Sequence, residues 1–179
     1  MSKISTMPRL GEPEYLKPFH FYFSASRGSV AKTVYLQPLY VPRGCTVNAL
    51  HFRVLTGSAG QNMRAGIYAD NGGTPVGGAL LFDSGDVDVT AAAVYVCAIA
   101  PPRSLTRGNY WVCVATQDTV MRFDGASLTT YFTGGAHPNF DGCKYVLGAW
   151  GALTNPCPAV TVDSTARPSI TLHVVSWDE

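Results

Sequence analysis

Asp70, Asp83, Asp86 and Asp88 are the side chains whose spacing first suggests chemistry. All four fall in residues 67–90, IYADNGGTPVGGALLFDSGDVDVT. Neighbouring carboxylates can share a catalytic proton or hold a cation. The triplet Asp83-Ser84-Gly85, after Leu81-Phe82, has the setting of a catalytic aspartate in an aspartic protease. That chemistry needs two such aspartates, one from each lobe or subunit, at close range. This chain carries one copy, and Asp86 follows it where a small neutral residue belongs. Asp, Ser and Gly each favour turns, so a turn between strands accounts for the triplet. The spacing of an EF-hand is absent. Asp86 and Asp88 alternate onto one strand face and could meet Ca²⁺ together with backbone carbonyls. Solvated loop carboxylates are the expectation.

The four histidines, His20, His51, His137 and His173, are scattered, and the five cysteines form no C-x-x-C pair. His137, Cys143 and Cys157 come nearest to a zinc set, without the paired spacing that marks one. Cys45, Cys97, Cys113, Cys143 and Cys157 are odd in number, in a chain long enough to bury a core. Buried free thiols are therefore expected, not a disulfide framework. His51 and His173 fall in strand patterns and are expected on strand faces. Gly125-Ala126-Ser127 runs on into Leu128-Thr129, so no nucleophile elbow forms. Phosphate-cradling and dinucleotide fingerprints are missing. A glycan hydrolase would need paired carboxylates in one cleft, and Asp124 with Asp141 are the only loop candidates. The chain reads as a non-enzyme without cofactor or metal.

Recognition chemistry has a better candidate. Tyr131, Phe132, Phe140, Tyr145 and Trp150 stand among Gly134-Gly135, Asn139, Asp141 and Asn155. Aromatic faces beside amides and carboxylates suit a sugar ring or a protein partner, because a ring gives large contact area at low entropy cost. Core filling competes with that reading.

The elements that must position these residues are strands. The 179 residues suit one domain. Charged residues make up only 14%, with 18 Gly and 12 Pro, which favours turns over helix and a surface in contact with neighbours. A net charge of +1 gives no field to recruit nucleic acid. No apolar run suits a secretion signal or a membrane helix, so folding in a cytoplasm is expected, without membrane insertion. Residues 1–18, with three Pro, read as an extended arm outside the core, whose Met7, Leu10, Tyr15 and Leu16 would anchor it on a neighbour. Residues 19–179 read as one domain. Strands are expected at 19–23, 33–40, 45–56, 63–69, 79–83, 87–90, 93–99, 110–116 and 169–177, with weaker candidates at 120–123 and 128–132. Val47, Leu50, Phe52 and Val54 should point inward, with a bulge near Ala49. Pro38 suggests an edge or a bulge, and Pro101-Pro102 suggests a stop. The strand at 110–116 reads as central and apolar on both faces. No 3.6-residue periodicity of useful length occurs. The sum is an all-β chain, a single antiparallel β-sandwich of jelly-roll type.

One resemblance follows from particular residues. Gly66-Ile67-Tyr68, the Gly/Pro turn Asn71 to Gly78, the apolar run Ala79 to Asp83, and Gly108-Asn109-Tyr110-Trp111 form a pattern. With the upstream LYVPRGCTVNALHFRVLTG, it resembles a β-sandwich module of bacteriophage tail fibres and other virion structural proteins. The resemblance spans roughly residues 33–117 and marks the module better than its role. It implies a non-enzymatic virion protein, assembled in the host cytoplasm, as a tail-fibre or receptor-binding subunit attached through its arm. Expected partners are other virion proteins, copies of itself with a trimer favoured, and a host cell-surface glycan. A capsid decoration protein is the alternative, and a free carbohydrate-binding module the second. Within the module, residues 67–90 need only be strand, turn, strand, turn, strand.

Overall fold

The protein is described here by a computed structural model covering residues 14–16, 25–126, 143–162, 167–168 and 170–178. Its strands are β1 (Glu14–Leu16), β2 (Ala25–Gly28), β3 (Thr33–Val41), β4 (Cys45–Thr56), β5 (Asn62–Ala69), β6 (Leu80–Asp83) and β7 (Val87–Asp88). They continue as β8 (Ala93–Leu105), β9 (Gly108–Thr116), β10 (Arg122–Ala126), β11 (Cys143–Val146), β12 (Thr161–Val162), β13 (Arg167–Pro168) and β14 (Ile170–Trp177). The expected strands at 19–23 and 128–132 lie outside the described residues.

Two antiparallel sheets pack face to face as a β-sandwich. In the first, β4 pairs with β8, β14 and β10; β1 lies beyond β14, and β2 and β13 pair with β10. The second runs β12-β11-β3-β9-β5, with β6 and β7 both on β5. The chain changes sheet at β2–β3, β3–β4, β4–β5, β7–β8, β8–β9, β9–β10, β10–β11 and β12–β13, so consecutive strands mostly cross between the two layers. β9 is central, flanked by β3 and β5. The described part of β11 begins at Cys143 opposite Leu36, so among the described residues Pro38 is paired only with Trp111 of β9.

The alternation in β4 explains the inner core. Val47, Leu50, Phe52 and Val54 are all buried, facing Met63, Ile67, Val112 and Val114 of the second sheet. The period slips at Asn48, where pairing with both β14 and β8 shifts register between Val47 and Ala49. Burying one large apolar side chain contributes roughly 1.5–3 kcal/mol, while a surface ion pair contributes about 0–1 kcal/mol. Apolar burial therefore holds the sheets together.

Two expectations need correction. Pro101-Pro102 does not end its strand, because β8 runs on to Leu105. Val47 pairs with Arg103 and Ala49 with Ala98, so the prolines sit in an outward bulge. A bulge on an edge strand needs no N–H from proline. Asp70, Asp83 and Asp86 are not simply solvated, as their hydrogen bonds show below, whereas Asp88 is exposed.

Candidate interaction surface

The acidic stretch is a structural hub. β5 pairs first with β6 and then with β7, giving the expected strand–turn–strand–turn–strand. Gly72, Gly73, Gly77 and Gly85 all have positive φ, which glycine adopts without strain. Asp83 Oδ2 accepts Arg64 Nη1 at 2.8 Å and the Leu153 amide at 2.9 Å, and its Oδ1 accepts the Gly85 amide at 3.0 Å. Arg64 Nε donates to Asp86 Oδ1 at 2.7 Å. Ser84 Oγ accepts the Ala65 amide. Asp70 takes the Trp111 indole N–H at 2.7 Å and the Gly73 amide at 2.8 Å. A carboxylate held by a guanidinium is poorly placed to share a proton with a second acid. Among the described residues no cluster of His, Cys, Asp or Glu could hold a metal ion. Asp124 falls in strand β10 opposite Ser26, not in a loop; Asp141 and His137 lie outside the described residues.

The predicted aromatic contact surface divides. Tyr131, Phe132 and Phe140 lie outside the described residues. Tyr145 is a correction: it is only 6% exposed and belongs to a second core on the outer face of the second sheet. There Leu147, Leu153 and Cys157 cover Val34, Leu36, Tyr68, Trp111, Cys113 and Ala115. Trp150 packs against the same cluster, half-buried. The covering segment is pinned by polar bonds. Tyr68 and Tyr145 hydroxyls lie 2.8 Å apart, and Tyr68 also donates to the Thr154 carbonyl at 2.8 Å. Gly77 donates to the Cys157 carbonyl, Cys157 to the Gly78 carbonyl, and Leu80 to Asn155 Oδ1. A Cβ on Gly66 would come within 2.4 Å of Leu153 Cδ1, so glycine there lets the cover close down on the sheet. Burial pushes the Cys157 thiol up to about 12, raises Cys113 strongly and raises the Tyr68 hydroxyl. These groups are held neutral and inert. All five cysteines are free and buried.

The arm and the first sheet supply the surface that remains. Met7 and Leu10 lie outside the described residues. Glu14–Leu16 forms β1 on the edge of β14, Leu16 packs against the inner core, and Tyr15 is 45% exposed. Tyr15 meets His173 at 5.2 Å and His51 at 5.5 Å between ring centroids, and the two imidazoles stack at 6.0 Å. His173 Nδ1 donates to Asn48 Oδ1 at 2.6 Å. Burial, and then the nearby His173, push the His51 imidazole below its ordinary value. On the same outer face, Val96 pairs with His51 and Val94 with Arg53, and both valines are exposed. Val175 of β14 is exposed as well. Sequence reading missed these valines, although their alternation with buried Cys97 and Ile99 was the available signal. The arrangement offers a largely apolar face with an aromatic–imidazole patch, suited to contact. The chain matches no protein-family model and no curated protein.

Proposed function

We propose that this chain is a non-enzymatic structural protein of a tailed bacteriophage virion, a tail-fibre or receptor-binding subunit attached through its N-terminal arm. The observation that carries this reading is the set of exposed valines on the outer face of the first sheet, Val94, Val96 and Val175, with Arg53 the charge beside Val94. Such a patch on a sparsely charged chain suits lasting contact with neighbouring proteins. Support also comes from the resemblance, whose G-I-Y and G-x-Y-W segments are paired strands here, Tyr68 opposite Trp111. The partners in this reading are other virion proteins and further copies of the chain, with a trimer carried over from virion fibres and a host glycan as receptor.

A second reading, a capsid decoration protein, is favoured by the position of β1. The arm joins the first sheet, whose outer face carries the exposed valines, so arm and face could engage adjacent capsid subunits together. Gold-tagged antibody against the protein, applied to intact phage particles and viewed by electron microscopy, separates the two. Label at tail tip or fibres is the expected result. Label over the head selects decoration, and particles without label overturn the virion reading.

A further inference from the structure

Among the described residues two sheet edges contrast. On one, β6 and β7 have only 4 and 2 residues. Asp83, Asp86 and Asp88 place charge along the β6–β7 edge. β8 has 13 residues and, among the described residues, pairs with β4 alone. An open edge presents a row of unpaired N–H and C=O groups, and native sheets protect such rows with short strands, charges, prolines or bulges. β8 has its guards at one end only, Pro101-Pro102 in the bulge and Arg103 beyond. From Val89 to Ala100 it has no charged side chain. Val94 and Val96 are 60% and 59% exposed.

We infer that β8 is an assembly edge, to which β8 of a second copy of this chain adds antiparallel across a two-fold axis at Val96. An isologous antiparallel pair places its axis on a residue facing its own equivalent. The strand begins at Ala93, and its regular pairing with β4 breaks after Ala98, at the bulge. An axis at Val96 sets Ala93 opposite the second copy's Ile99, so the ladder fills the regular stretch and stops before the prolines at both ends. Val94 then faces Ala98, Tyr95 faces Cys97, and Val96 faces Val96. Every opposed pair is uncharged, so no like charges meet. The same neutrality disfavours a foreign partner, which would find no charge on the strip to complement. A second copy satisfies both open edges at once and extends the first sheet continuously through the dimer. The contact stands whether or not the chain belongs to a virion.

Sedimentation velocity of the full chain at tens of micromolar tests it. Wild type should run as an even-numbered oligomer. Val96→Lys should halve that mass, because two ammonium groups would face each other across the axis. A trimer built about another axis would accordingly run as a hexamer and fall to a trimer. Circular dichroism should be unchanged, since the Val96 side chain already meets solvent in the single chain. Val96→Cys should cross-link into covalent dimers on mild oxidation, while Val120→Cys, 64% exposed in the β9–β10 connection, should not. A monomeric wild type overturns the inference. So does a mass that Val96→Lys leaves unchanged, or failure of Val96→Cys to cross-link.

Discussion

His51 shows how one residue's surroundings set a pH response. Its imidazole stacks on His173 beneath Tyr15, and its folded-state value is lowered, first by burial and then by His173. A base with a depressed folded value prefers to be neutral in the native state, so it adds stability above its unfolded value. That contribution is lost as pH falls below about 6.5, the ordinary histidine value, towards the folded one. Urea midpoints should therefore hold steady near neutrality and drop as pH falls below about 6.5, and His51→Gln should flatten part of that drop. An identical pH dependence in the variant would remove His51 as its source. The aspartates give the opposite lesson at the same scale. Asp70 and Asp83 looked like chemistry in sequence, yet each is occupied by donors from the fold itself.

The element that most changes the picture is the cover formed by residues 147–160. It has almost no regular pairing and holds its place through Leu153, Cys157 and a few bonds to Asp83, Tyr68, Gly77 and Gly78. Its Leu153 side chain lies directly against Gly66 of β5. Leu153→Ala should cost about 2–5 kcal/mol of unfolding free energy, from lost burial plus the cavity left under the cover. Chemical denaturation reads this directly, and a loss below about 0.5 kcal/mol, the scatter of neutral surface changes, would show that the cover contributes little. Part of this element was legible. The apolar run of β9 implied burial on both faces, and a strand buried on both faces needs a layer on each. Which segment supplies the outer layer was not legible, because its apolar residues lack a regular period.

At the scale of the molecule, two cores share the second sheet between them. Cys45 and Cys97 lie in the inner one, on paired strands of the first sheet; Cys113 and Cys143 lie in the outer one beneath the irregular cover, to which Cys157 itself belongs. Segments with few ladder bonds open at lower free energy than strands within a sheet. In sub-denaturing urea, N-ethylmaleimide should therefore label Cys157 before Cys97, as resolved by peptide mass mapping. Simultaneous labelling would mean that both cores open as one cooperative unit.

The amino-acid sequence by itself determined the all-β class, most strand positions, the inward set Val47, Leu50, Phe52 and Val54, the bulge near Ala49 and the buried thiols. Each of these depends on local period, side-chain shape or backbone chemistry, all of which act over a few residues. Tertiary structure alone assigned Tyr145 to a core, Asp83 to Arg64 and Leu153, and the long open edge to β8. Those outcomes depend on which segments meet across the fold. Tyr68 and Tyr145 are far apart in the chain yet share a hydrogen bond, and a strand becomes an edge only through the neighbour it lacks.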